Sequence, residues 1–181
     1  MTAVMPEEDR RSQTAVTAGV IIRDAGAADL PVIVDIYNAA IATRVSTAQL
    51  EPVTVGSRRD WLKNHPPDRY PFWVLEMEGV VAGWLTFKAF QPRSAYRGTA
   101  ELSVYVSENF RRRGVARKLL EEAIKRAPSL EFSALVGFIF AHNDASLKLF
   151  KRFGFERWGL LPRVAQLDGI VRDLVIMGRP V

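Results

Sequence analysis

Arg111-Arg112-Arg113-Gly114-Val115-Ala116 separates an extended apolar run, Ala100 to Val106, from a helical run, Val115 to Arg126. A strand that feeds a helix through a basic, glycine-containing turn reads as a phosphate site. The first N–H groups of a helix lack intrahelical acceptors, and the helix dipole adds about half a positive charge there. Gly114 lets the backbone approach an anion with no Cβ in the way. The arginines keep their charge at any physiological pH. The same residues also read as a surface arginine cluster at a helix start, so neighbouring segments have to decide.

Working outward, the pattern alternates strands and helices. Val20 to Arg23 is short and β-branched, a first strand. Leu30, Ile33, Val34, Tyr37 and Ile41 form a helical stripe within Ala27 to Thr43. Asp29 suits the dipole of the first turn, and Pro31 is tolerated there. Thr54 to Asn64 reads as a second helix, capped by Thr54, with Trp61 and Leu62 inward, and Pro66-Pro67 stops it. Phe72 to Met77 and Val80 to Phe90 are strands joined by a tight turn at Glu78-Gly79. Thr99 to Val106 is the next strand, followed by a helix from Gly114 to Ala127, and Leu135 to Ala141 is a buried strand. Asn143 caps a helix over Asp144 to Phe153, with Gly154 as its C′ residue. Phe155 to Leu161 and Ile170 to Met177 complete the series. The order predicts an α/β fold, a mixed central sheet flanked by helices.

Composition bounds the chemistry. The chain has 181 residues, enough for one domain with a real core, expected over residues 20–181. Residues 1–19 lack periodicity and read as a disordered N-terminal extension. There is no cysteine, which excludes disulfides, thiolate metal sites and a cysteine acyl-enzyme. No stretch resembles a signal peptide or approaches membrane-spanning length, so a cytoplasmic protein with no membrane partner is expected. A net charge of +5 suits anionic ligands. The basic cluster from Arg111 to Lys118 lacks interleaved aromatics, which argues against nucleic acid. The two histidines have no ligand spacing, so no metal is expected. His65 reads as a loop residue in an Asn-His-Pro-Pro turn, and His142 as a structural residue close to the phosphate site. Trp61, Trp73, Trp84 and Trp158 lie in apolar elements and read as core.

Two further segments carry chemistry. On an extended Thr99 to Val106, Glu101, Ser103 and Tyr105 share one face. A carboxylate on a central strand is costly unless used or paired. Glu101 therefore reads as a general base for an incoming ammonium, or as an ion-paired or solvated carboxylate. Asn143 reads as a helix cap, with an amide also able to bond a ligand.

Together these segments resemble the GCN5-related N-acetyltransferases (GNAT), across essentially residues 20–178. Ala95-Tyr96, Thr99-Ala100-Glu101 and Ser103-Val104-Tyr105-Val106 resemble the branch acting on phosphinothricin and methionine sulfoximine. Ile36-Tyr37-Asn38, Ser46-Thr47 and Glu51-Pro52 do so as well, and Trp158 to Pro162 with Asp168-Gly169 resembles a bacillary subgroup. The resemblance implies acetyl-CoA as co-substrate and Glu101 as the base. It implies Val104, Tyr105 and Val106 as the strand that pairs with pantetheine. Arg112, Arg113, Gly114, Val115, Ala116 and Arg117 become the pyrophosphate loop, and Asn143 a pantetheine contact. Ser94, Ala95 and Tyr96 border the acceptor, a small-molecule amine whose carboxylate would meet Arg93, Arg97 or Arg44. It implies direct transfer in a ternary complex, and a homodimer. Phe150 and Val171 depart from the pattern: family members carry a tyrosine or histidine at the first and an aromatic residue near the second. The alternatives are a GNAT enzyme for another amine, such as a polyamine or a protein N-terminus, and a non-catalytic acyl-CoA-binding module.

Overall fold

The computed structural model describes residues 19–181. The extension expected over residues 1–19 lies, apart from Gly19, outside the described residues. Strand β1 (Ile21–Asp24) runs antiparallel to β2 (Phe72–Met77), and β2 turns back into β3 (Val80–Ala89). Glu78 and Gly79, with φ of 58° and 76°, make that turn in the hand that matches strand twist. β3 is antiparallel to β4 (Thr99–Val106), and β4 is parallel to β5 (Ala134–Phe140). The last two strands, β6 (Glu156–Leu167) and β7 (Ile170–Pro180), form a hairpin whose β7 lies on β5. The seven-stranded order is β1-β2-β3-β4-β5-β7-β6.

Both faces of this sheet are covered. In β2 the period-2 alternation sends Trp73, Leu75 and Met77 to one core and Phe72 and Val74 to the other. The larger core takes Val115, Leu119, Leu120 and Ala123 from helix α3 (Val115–Arg126) and Phe150 from helix α4 (Asp144–Arg152). The smaller takes Ile33 and Ile36 from helix α1 (Leu30–Thr43). Gly154, at φ 76°, follows α4 as the C′ residue expected of it.

Four expectations are corrected. The helix expected over Thr54 to Asn64 is a 3-10 turn at Gly56–Arg58 and a single helical turn, α2 (Asp60–Lys63). Thr54 and Ser57 trade side-chain-to-backbone hydrogen bonds of 3.2 Å, which compete with a continuous helix. Ala27–Asp29 is likewise a 3-10 turn preceding α1. The final hairpin runs further than expected, past Pro162, which an edge strand tolerates. Trp158 is not core: it is 49% exposed on β6, the outermost strand, beside a register shift. Its ring covers the backbone of Gly178, where any Cβ would collide with it.

The sheet is open in one place. β4 and β5 pair only through Thr99↔Ala134, Ala100↔Leu135 and Glu101↔Val136. Beyond Glu101, β4 stays with β3 as far as Gly83↔Val106, while β5 stays with β7 as far as Phe140↔Leu174. A cleft opens between them.

Candidate active site

The cleft has a peptide edge on one wall. Leu102 to Val106 of β4 lie beyond the last residue pair with β5, so their β5-facing N–H and C=O groups lack a strand partner. Such groups need a partner when water is excluded. An extended amide-bearing ligand laid along Val104, Tyr105 and Val106 would supply it.

The start of α3 stands near the end of that strand. Gly83 on β3 allows this close approach, because a Cβ there would lie 2.7 Å from both the Val115 side chain and the Tyr105 carbonyl. Arg112 and Gly114 adopt left-handed backbone, with φ of 62° and 82°. No side chain caps the helix, so the first-turn N–H groups from Val115 to Arg117 remain available to an anion. Arg113 pairs with Glu78 and stacks 4.9 Å over Phe110. Arg111 pairs with Glu108 at 3.1 Å. Arg112 and Arg117 have no carboxylate partner among the described residues. The geometry fits a pyrophosphate.

Across the cleft, Asn143 Oδ1 accepts the Ser146 N–H at 3.1 Å, which makes it the expected cap. Its Nδ2 donates to the Val45 carbonyl at 3.4 Å. His142 Nε2 reaches the Arg44 carbonyl at 3.0 Å, and the Arg44 guanidinium pairs with Asp168 at 2.7 Å. The segment after α1 is thus held by the β5–α4 turn and by the β6–β7 turn. Phe150 is 4% exposed, with its ring against Gly137 and Phe155.

Glu101 is 17% exposed and pairs with Lys88, directly opposite it on β3, with 3.0 Å between Nζ and Oε1. The ion-pair reading of Glu101 is therefore realised, by a lysine and not by an arginine. Of the arginines expected to meet an acceptor carboxylate, Arg44 is engaged by Asp168 and Arg97 by Glu131 at 2.9 Å. Ser94, Ala95 and Tyr96 form an exposed 3-10 turn before β4, with Tyr96 edge-on to Phe90.

On the face of the sheet that carries Glu101 lies a pocket that the sequence did not announce. Ser103 and Tyr105 of β4 border it, with Trp84, Thr86 and Lys88 of β3, and Phe72 of β2. Tyr37 of α1, Trp61 of α2 and His65 complete the walls. Trp84 and Tyr105 lie 4.4 Å apart between ring centres, and Tyr37 and Trp61 5.3 Å. Burial and the Tyr37 hydroxyl push the Tyr105 phenol well above its ordinary pKa. The one usable signal for this pocket was the antiparallel pairing of β3 with β4, which places Lys88 opposite Glu101 once the register is known.

The fold and this site define an acyltransferase class, and comparison with known proteins agrees. Residues 33–155 match the model of the Acetyltransferase (GNAT) family, and the chain belongs to that family: it is an acetyl-CoA-dependent N-acetyltransferase. YwnH of Bacillus subtilis, provisionally named a phosphinothricin acetyltransferase, is 48% identical over 83% of this chain and 93% of its own. The L-methionine sulfoximine/L-methionine sulfone acetyltransferase of Pseudomonas aeruginosa is 37% identical over 86% of this chain and 91% of its own. A phosphinothricin acetyltransferase from Sinorhizobium meliloti, solved in complex with acetyl-CoA, superposes with a TM-score of 0.84 at 31% identity. It covers 90% of this chain and 88% of that one. Among the described residues no group of three or more His, Cys, Asp or Glu side chains is placed to hold a metal ion. No helix is long and apolar enough to cross a membrane.

Proposed function

We propose that the chain acetylates the α-amino group of a small amino-acid-like acceptor of the methionine sulfoximine or phosphinothricin type, by direct transfer in a ternary complex. The observation that carries this reading is the parting of β4 and β5 beside Glu101, with an uncapped basic helix start at one end of the cleft and an aromatic pocket on the face that carries Glu101. Acetyl-CoA, when bound, supplies the activated acyl group. Arg112, Arg113, Gly114, Val115, Ala116 and Arg117 hold its pyrophosphate through N–H groups and charge. Val104, Tyr105 and Val106 pair with the pantetheine arm and polarise the thioester carbonyl with a strand N–H. Asn143 contacts the same arm.

Glu101 takes a proton from the acceptor's ammonium, directly or through a water, so that a lone pair can attack. Ser94, Ala95 and Tyr96 border the acceptor. Phe150 cannot donate a proton, and none is required for thiolate departure, since a thiol pKa of about 8.5 makes thiolate a fair leaving group. The reading includes a single catalytic domain over residues 20–181, working in the cytoplasm, and a homodimer. Trp158, Leu160, Leu161, Val164, Ile170 and Val171 support the dimer as exposed apolar surface on the last hairpin. The test is thiol release from acetyl-CoA, followed with a chromogenic disulfide reagent against a panel of amines. Turnover on the two amino-acid analogues and not on polyamines or peptides is expected. Turnover on polyamines or peptides alone would overturn the acceptor class.

A further inference from the structure

We infer that the aromatic pocket sorts acceptors by the charge of their side chain, admitting neutral ones and refusing anionic ones, and that His65 is the residue that does the sorting. This rests on the reading above, in which the pocket beside Glu101 receives the acceptor. The pocket encloses about 160 Å³.

Its polar groups are mostly committed. The Tyr37 hydroxyl is 2.9 Å from Thr47 Oγ1, and the Tyr105 hydroxyl donates to the Ser46 carbonyl at 3.4 Å. His65 Nδ1 lies 2.5 Å from the Trp61 carbonyl. A carbonyl only accepts, so Nδ1 carries the proton. Burial holds this imidazole below its ordinary pKa, and the Lys88 charge acts in the same direction. His65 is therefore neutral, and its Nε2 is a lone-pair acceptor with no donor on it among the described residues. A ligand N–H gains a partner there, whereas an anion meets a lone pair.

The remaining walls reinforce this. Among the described residues the only cation on them is Lys88, and its ammonium already faces Glu101 at 3.0 Å. An anionic side chain inserted here would be buried without a counter-charge of its own, which is costly. The ring faces of Phe72, Trp61 and Trp84 carry negative quadrupole density, which suits a polarisable neutral group and not an anion. Sulfone and sulfoximine side chains are neutral, whereas the phosphinate of phosphinothricin is anionic near neutral pH.

The experiment titrates the full chain with L-methionine sulfone, L-methionine sulfoximine and L-phosphinothricin. Binding is read by the fluorescence of Trp61 and Trp84, and thiol release is measured in parallel. The neutral pair is expected to bind at least about tenfold tighter, the smallest gap that a buried unpaired charge implies. His65→Lys, which puts a second cation on the wall, is expected to close or invert that gap. Equal or tighter binding of phosphinothricin by the wild type overturns the inference, and so does binding of none of the three. An unchanged ratio in folded His65→Lys overturns the assignment to His65. If that variant does not fold, the wild-type ratio still decides whether the pocket sorts by charge. Tight binding of the neutral pair without thiol release would overturn the acetyl-transfer reading and leave the sorting supported.

Discussion

Replacing Glu101 by Gln separates catalysis from structure, because the two consequences differ in size. Glutamine has the same shape, and its carbonyl oxygen can still accept from the Lys88 ammonium now 3.0 Å away. What disappears is the proton acceptor and one charge of the pair. Lys88 is 58% exposed, so water solvates it when its partner is neutralised, and an exposed pair contributes about 0.2–1 kcal/mol. For a chain of this length that corresponds to a fall in Tm of at most about 2–4 °C. Loss of a general base removes about 10²–10⁴-fold in rate, or about 2.7–5.4 kcal/mol of barrier at 1.36 kcal/mol per decade. The expected result is kcat down by about 100-fold or more with a nearly unchanged melting curve. The assay is thiol release at saturating acetyl-CoA and acceptor, beside a thermal melt. Unchanged turnover at neutral pH would refute Glu101 as the base. A large fall in Tm accompanying the loss of rate would refute the claim that its main role is chemical.

Arg112→Gly removes a charge without opposing the φ of 62° at that position. Combined with Arg113→Ala it is expected to weaken acetyl-CoA binding about 10- to 100-fold, from about 1.5–3 kcal/mol per charge-assisted hydrogen bond, and calorimetric titration checks this. Gly137→Ala places a Cβ 2.6 Å from the Phe150 ring in a closed core. It is expected to cost about 1–3 kcal/mol, read as a lower Tm in a thermal melt. Asp29→Asn breaks a pair with Arg23 at 2.7 Å and a hydrogen bond from Gly26 N–H of the same length, with an expected cost of about 1–3 kcal/mol. Arg23 holds the Asp29 carboxyl below its ordinary value of 3.8. The unfolded chain then binds the extra proton, so this stability is complete above that value and is lost as pH falls through the folded pKa. Acid titration should therefore unfold Asp29→Asn with a shallower pH dependence below pH ~4. Saturating acetyl-CoA is expected to raise Tm by about 5–10 °C, from about 2.7 kcal/mol at a hundredfold excess over Kd, and no rise would count against the cleft.

The parts that were legible in the sequence are local. The Glu78-Gly79 turn, the Asn143 cap, the Gly154 stop and the strand-loop-helix around Gly114 each depend on a few adjacent residues, and each is present. What escaped depends on strand order and register. Whether a strand is central or at an edge cannot be read from its own apolar pattern. The insertion of β7 between β5 and β6 put Trp158 in solvent. The pocket escaped for the same reason. Its rings come from α1, α2, β2, β3 and β4, and each ring taken alone looks like core. His65 was legible as a loop residue, but its contacts with the Trp61 carbonyl and the Phe72 ring are set by how the short α2 turn lies on the sheet.

The cleft and the pocket follow from one structural fact. The α3 crossover joins β4 to β5, and its first turn must stand near the end of β4, which Gly83 permits. β5 is drawn off by seven residue pairs with β7, against three with β4. The sheet therefore parts at Glu101, where the carboxylate stands beside both openings. An anion at the α3 start, an extended arm on the unpaired edge of β4 and an amine beside Glu101 then fall along one line. The peptide groups left unpaired by the split are a cost to the free fold, and satisfying them is the service a long amide-bearing acyl donor performs on binding.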